Sequence, residues 1–323
     1  MSYLKSKTTS LINSKKSLES KLFVMQGTLV LFWLIGIIVI LITTGVFGTL
    51  NTQSYNTLKG ELNRTESILS DRLVIISQST YDLAEDINKN ISYTLNEQNS
   101  CITSIVRDMP LLALIIDSQV EKSLFTMEKT GSSGVFLVLN ATINITLAKS
   151  EYSKAGFYIK DTEPSHVSYI SDVPVLLRGS SEIARKYDMY LDTEWQLEFD
   201  FDNAHSSKYF YMPFNTANMY PDKNIMDLSY FSIPFYPDIN QKRVITFSVP
   251  LIDKSGLVYG VCGLEISEQF LYEYLISSNK TENNICYILA PKSKDNSICI
   301  SDSIILGKKD NNISSNDALT LTD

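Results

Sequence analysis

The chain has 323 residues, 44% of them hydrophobic and 20% charged, with 28 basic against 36 acidic side chains for a net charge of −8. A chain this long and this apolar can bury a substantial core, which excludes bulk disorder. The acid excess lies beyond residue 49, and an acidic surface disfavours phosphate backbones and anionic lipid, so that portion is not expected to bind nucleic acid.

Residues 1–21 form a basic tail, with Lys5, Lys7, Lys15, Lys16 and Lys21 against Glu19. The stretch that follows, Leu22 to Phe47 (LFVMQGTLVLFWLIGIIVILITTGVF), contains no Asp, Glu, Lys or Arg. About 20 apolar residues at 1.5 Å rise cross a hydrocarbon core of roughly 30 Å, and a helix satisfies its own backbone polar groups in lipid. Length and lack of charge argue against a buried core helix, and a cleaved signal peptide has an apolar run of only about 7–15 residues. Thr43-Thr44-Gly45 is also a poor cleavage site. Residues 22–48 therefore read as a retained transmembrane helix in the lipid bilayer. Lysine excess on the leading side puts the N-terminus in the cytoplasm and everything after about Thr49 outside.

From about Asn51 to Glu128 the pattern is helical. Leu58, Leu62, Leu69, Leu73, Ile76, Leu83, Ile87, Ile91 and Leu95 recur at helical spacing. Asn99-Ser100 and Pro110 mark breaks, because proline disfavours helix in the residue before it. The expectation is one long helix, a break, and a second helix near Leu111–Met127. The apolar stripe either packs on the protein's own domain or pairs with a second copy as a homodimer. Its irregular spacing and the domain that follows favour the first.

At Gly131-Ser-Ser-Gly134 the period changes. Gly134–Asn140 (GVFLVLN) and Ala155–Lys160 (AGFYIK) read as neighbouring strands, and Arg178–Tyr187 as a short helix. Asp192 to Pro221 is aromatic and turn-rich. Arg243–Asp253 (RVITFSVPLID) and Leu257–Ile266 (LVYGVCGLEI), joined through Lys254-Ser255-Gly256, form a hairpin whose glycine takes positive φ. Ser267–Ser278 returns to helical periodicity. Ile285–Ala290 (ICYILA) and Ser297–Ser301 (SICIS) are expected to pair as a further hairpin. This order predicts an α+β fold with an antiparallel sheet and its helix on one face. The last strand pair begins a unit for which too little sequence remains, so the chain is expected to be part of a longer protein.

The chemistry-bearing residues are few. Cys101, Cys262, Cys286 and Cys299 are too scattered for a disulfide framework; Cys286 and Cys299 either close a hairpin or are buried free thiols. His166 and His205 have no second His or Cys at ligand spacing, so no metal is expected. No cofactor is expected and no catalytic residue is assigned: Walker, Rossmann, Gly-x-Ser-x-Gly and His-Glu-x-x-His motifs are all missing. Asp200 and Asp202 would share a strand face as a hydrolase might use, but a polar loop rim accounts for them equally well.

The run GVFLVLN after a long helix, then AGFYIKD, then RVITFSVPLIDKSGLVYGVCGLEIS, resembles bacterial double Cache (PAS-like) sensor domains of membrane receptors. The resemblance implies a pocket between a sheet and its loops, holding a small ligand, with the long helix passing the signal to the bilayer. It divides the chain into a cytoplasmic tail (1–21), a transmembrane helix (22–48), an extracytoplasmic helical stalk (49–128), a membrane-distal Cache-like module (129–280) and the start of a second, incomplete module (281–323). One amino-acid-binding subgroup of the family has an Arg and a Trp-Tyr pair before the sheet and an Asp at the end of the last strand. In this chain the region Lys208-Tyr209-Phe210-Tyr211 lacks that Arg and Trp, and the Asp position falls on Glu265.

A sensor pocket needs flat apolar walls and a few polar groups that fix orientation. The candidate ligand-binding residues are Trp195, Tyr209, Tyr211, Tyr230, Tyr236 and Glu265. Each also has a plainer role, the aromatics as core and Glu265 as a solvated strand-end charge. Arg178 and Arg185 either recognise an anion or are solvated on a surface helix. The function expected is extracytoplasmic sensing by a signal-transduction receptor; the alternative is a membrane-tethered structural or protein-interaction domain without a small ligand.

Overall fold

The computed structural model describes residues 2–43, 46–146, 148–161, 173–201, 207–237, 243–271, 287–291, 297–299, 302–306 and 318–320. The chain divides into two units, Met1–Ser67 and Ile68–Asp323. The first contains α1 (Ser2–Thr43) and the start of α2 (Val46–Glu97). Within α1, Ser20–Ile40 is a stretch of 21 residues with mean hydropathy 2.4, none of it buried, long and apolar enough to cross a membrane.

The second unit begins with the rest of α2. Ile76, Leu83, Ala84, Ile87, Ile91 and Leu95 are buried as one stripe, so this part of the helix packs on its own domain. Leu58 and Leu62, which belong to the same sequence pattern, are exposed. Asn99 follows the helix at φ 48, a left-handed conformation that Asn tolerates and that breaks the run. A 3₁₀ turn, Ile102–Val106, leads into α3 (Met109–Thr130). The Asp108 carboxylate accepts from the Leu111 amide at 3.0 Å, and Pro110 lies in the first turn, where its missing N–H removes no helical bond. Gly131, at φ 55, closes the other end.

The remaining elements are β1 (Gly134–Leu139), β2 (Ser153–Lys154), β3 (Gly156–Lys160), β4 (Val175–Arg178), α4 (Ser181–Lys186), β5 (Tyr190–Gln196), β6 (Phe199–Asp200), α5 (Lys208–Met219), α6 (Ile225–Leu228), β7 (Tyr230–Phe231), β8 (Val244–Ile252) and β9 (Val258–Ser267). Seven strands form one sheet in the order β5-β4-β3-β1-β9-β8-β7. Every pair in it is antiparallel except β4–β5, which is parallel. The expected hairpin is present: β8 and β9 pair along their length, and Gly256 takes φ 86 in the turn. The whole is an α+β fold in which long helices precede a PAS-like mixed sheet.

One face of the sheet packs on α2 and α3. Val135, Leu137 and Leu139 of β1, Phe157 and Ile159 of β3, Phe247 and Val249 of β8, and Cys262 and Leu264 of β9 join the helical stripes in the main core. The alternate residues point the other way. There Phe136, Val138, Tyr158, Leu177 and Val261 meet Tyr209 and Phe210 of α5 in a second, aromatic core.

Several expectations are corrected. The sheet carries helices on both faces rather than one, because α5 forms where a turn-rich segment was read. It holds despite an internal Pro213, since Tyr209, Phe210, Pro213 and Ala217 bury one side of it. The helix expected from Arg178 begins only at Ser181; Arg178 ends β4, and its Nη1 donates to the Leu177 and Glu194 carbonyls at 2.9 Å each. The two final strands do not pair with each other: β10 (Tyr287–Leu289) pairs with β12 (Ile304–Leu306), and β11 (Ser297–Cys299) with β13 (Ala318–Thr320). Residues 268–271 start the expected helix after β9, and the rest of that helix lies outside the described residues. So do His166, His205, Asp202 and the pairing of Cys286 with Cys299.

Candidate functional site

The aromatic face of the sheet has a polar floor. On β8, Ile245, Phe247 and Val249 go to the helix-side core, which turns Thr246 and Ser248 to the opposite face. On β9, Leu264 and Ile266 do the same and turn Glu265 outward beside Thr246, its partner in register. On β3, Phe157 and Ile159 leave Tyr158 and Lys160 on this face. Two rows of in-register residues result. One runs Tyr230–Ser248–Gly263–Phe136–Tyr158, the other Thr246–Glu265–Gly134–Lys160.

Glu265 is fully buried, so the solvated strand-end charge considered from sequence is corrected: it has neighbours instead of water. Lys160 Nζ lies 3.1 Å from Glu265 Oε1, and Ser133 Oγ donates to the same oxygen at 2.9 Å. The Tyr158 hydroxyl donates to Oε2. Ser133 Oγ in turn accepts from the Ser267 amide at 2.6 Å. Burial raises the Tyr158 phenol well above its ordinary range, and the Glu265 charge adds to the effect. A carboxylate placed between two apolar residues of a strand is stable there because the lysine two strands away neutralises it.

α5 covers this floor. The Tyr209 ring lies 4.9 Å from Phe136 and stacks on Phe235 at 5.5 Å. Burial pushes the Tyr209 phenol up, against the opposing field of Arg178. Tyr211 is half-buried at the edge of the same cluster, 5.6 Å from Phe201, and Tyr230 is half-buried on β7 opposite Ser248; burial raises both phenols. Trp195 stands apart, packed against the helix-side core with its indole N–H donating to the Gly179 carbonyl at 3.0 Å. Tyr236 is 58% exposed and joins neither cluster.

The side chains that sequence reasoning missed are Ser133, Tyr158, Lys160, Thr246 and Ser248. Their signal was present: a lone lysine in GFYIK and alternating hydroxyls in VITFSVP mark a strand face that is polar yet belongs to a central strand. Among the described residues, Thr246 Oγ1 and Ser248 Oγ are buried without a hydrogen-bond partner, as are Thr65 Oγ1 of α2 and Ser123 Oγ of α3. The backbone of Thr246 is satisfied, its N–H donating to Ser232 Oγ at 2.8 Å, so the orphan is the side chain alone. A separate small cavity of about 100 Å³ lies between α3 and α4, lined by Leu112, Ile116, Ile143, Ile183 and Leu197 among others; it is too small for most metabolites. Among the described residues no group of three or more His, Cys, Asp or Glu is placed to hold a metal ion.

The fold and this face together describe a sheet domain with a buried polar floor under the aromatic residues of α5. No family model matches the chain, and no curated protein does. Among solved structures the chain is similar to the sensory domain of the Campylobacter jejuni chemoreceptor Tlp3 with isoleucine bound, at 16% identity and a TM-score of 0.40, over 74% of this chain and 69% of that one. It is similar to a methyl-accepting chemotaxis protein X at 13% identity and a TM-score of 0.40, over 73% of this chain and 71% of that one. It is also similar to the sensor domain of the V. cholerae histidine kinase DctB, at 13% identity and a TM-score of 0.37, over 77% of this chain and 66% of that one. Likeness at this level leaves the function to be read from the residues.

Proposed function

We propose that the chain is a membrane-anchored receptor whose second unit binds a small molecule outside the bilayer, between α5 and the polar floor of the sheet. The observation that carries the reading is the pair of buried, unpartnered hydroxyls, Thr246 and Ser248, on the face that also gathers Glu265, Tyr209 and Tyr230. An unsatisfied buried polar group costs about 1–3 kcal/mol, and each one in a native structure calls for an explanation such as a partner that arrives later. A bound molecule is that partner. Tyr209, Tyr211, Tyr230 and Glu265 would contact or position it; Trp195, packed against the other core, and the exposed Tyr236 have no part in this reading. The basic tail stays in the cytoplasm, as the lysine excess before the span favours.

A ligand shifts a receptor only through its different affinity for two states. The route from this face to α2 is short. Ser133 bonds Glu265, and two residues earlier the Gly131 carbonyl accepts from Arg72 Nη2 of α2 at 2.8 Å. Rearrangement around Glu265 is thereby relayed to the long helix.

The test uses the full chain in lipid nanodiscs, with melting followed by fluorescence across a metabolite panel. A compound that raises the midpoint in the wild type and fails to do so in Tyr230→Ala supports the reading. No shift from any compound, together with tight capture of a partner protein, would leave the membrane-tethered interaction domain in its place.

A further inference from the structure

We infer that the ligand of this face buries no charged group here, and is read by hydrogen bonds to Thr246 and Ser248 beside the rings of Phe136 and Tyr209. The inference rests on the sensing function proposed above and narrows its ligand class.

The argument is one of charge and donor capacity. A cationic group entering here needs a carboxylate. Glu265 is the carboxylate of the floor, and its Oε1 already faces Lys160 and Ser133 while its Oε2 receives the Tyr158 hydroxyl. A second cation would sit against the Lys160 ammonium. An anionic group would meet the Glu265 charge, with Lys160 engaged by that same carboxylate and Arg178 Nη1 directed to the Leu177 and Glu194 carbonyls. Among the described residues a cation finds no carboxylate here that is not already engaged, and an anion finds Lys160 held by Glu265 and Arg178, whose field reaches Tyr209, held through Nη1 by two carbonyls; burying a charge so poorly compensated costs far more than hydroxyl contacts return.

Thr246 Oγ1 and Ser248 Oγ, by contrast, each offer a donor and acceptor sites, and neither is used. They stand two residues apart on one face of β8, in adjacent rows of the sheet. Gly263 lies next to Ser248 in register, and the Phe136 ring fills the space where a side chain at Gly263 would be. Tyr209 packs 4.9 Å from that ring. The floor thus pairs two hydroxyls with a flat aromatic wall, which suits an amide, carbonyl or hydroxyl group attached to an apolar or planar body. The molecule gains access by displacing the Tyr209–Phe235 stack.

Matched probes separate charge from shape: succinate against succinamide, isoleucine against N-acetylisoleucinamide, and uridine 5′-monophosphate against uridine, each added to the full chain in nanodiscs. The expected result is a rise in melting midpoint with at least one neutral member that exceeds the rise with its charged counterpart. Thr246→Val and Ser248→Ala each weaken that binding about tenfold in calorimetry, and each raises the midpoint of the unliganded protein, because an orphaned hydroxyl is gone. Thr246→Ser, which keeps the hydroxyl, retains binding and guards against a variant that merely misfolds. Shifts with charged members alone overturn this inference and leave the sensing function standing. Neutral binding that survives in both hydroxyl-free variants also overturns it. No shift with any neutral member, when a charged compound of the wider metabolite panel does shift the midpoint, overturns this inference alone, and no shift across the whole panel overturns both.

Discussion

Glu265 and Lys160 are each buried on different strands, and the energy of one is defined by the presence of the other. Removing a single partner leaves the other charge stranded in the interior, a loss of about 3–5 kcal/mol. Glu265→Ala should therefore lower the unfolding free energy by that amount in denaturant melts, and Glu265→Leu combined with Lys160→Met should recover most of it. A double variant no more stable than the worse single one would show that the pair is not the issue. The tyrosines give the same region an alkaline signature. Tyr158 and Tyr209 are held protonated by burial, their phenols raised above the usual value. In the unfolded chain a tyrosine ionises near about pH 10, so above that pH the unfolded state releases protons that the folded state keeps. Stability from these groups is complete below about pH 10 and declines as pH rises past it. Unfolding free energies measured from pH 8 to 11 should show the decline, and Tyr158→Phe should make it shallower. An identical slope in that variant would count against the assignment.

At the level of elements, the close approach of strands depends on glycines, most tightly at Gly156 and Gly263. A Cβ at Gly156 of β3 would lie 1.9 Å from the Leu137 carbonyl oxygen of β1. At Gly263 of β9 it would lie 2.3 Å from Phe136 Cζ and 2.5 Å from the Phe247 carbonyl oxygen. Main-chain atoms in a seven-stranded sheet cannot step aside as a flexible side chain would. Gly156→Ala is expected to destabilise by about 3 kcal/mol or more, beyond the ordinary range of overpacking. The α3 cap is a milder case: Asp108→Ala removes the acceptor for the Leu111 amide and should reduce stability by about 1 kcal/mol. Equilibrium unfolding followed by circular dichroism ranks the two, and the order reversed would contradict this account of where the elements are constrained.

For the whole molecule, the decisive property is which side of a membrane the second unit occupies. With a C-terminal tag, intact cells freed of their outer barrier and treated with an impermeant protease should lose the tag, and protection of it until lysis would place the sheet on the wrong side for sensing external molecules. The elements behind this prediction were readable from residue order: the uncharged run in α1, the stripes of α2 and α3, strands β1 and β3, and the β8–β9 hairpin with Gly256 in its turn. Others were not. Pro213 and the surrounding aromatics hid α5, whose helix is held by burial of Tyr209 and Phe210 on the sheet. Adjacent strands β10 and β11 were expected to pair and instead choose β12 and β13. Glu265 was legible as an odd carboxylate in a strand, but Lys160 as its partner and the isolation of Thr246 and Ser248 were not. The difference is physical. Apolar period, chain breakers and charge act on near neighbours, so sequence alone determined the apolar helix, the long helices and the central strands. Which strand lies beside which, and therefore which charges are neutralised and which hydroxyls are left bare, is set by contacts between residues far apart in the chain, and only the tertiary structure decided it.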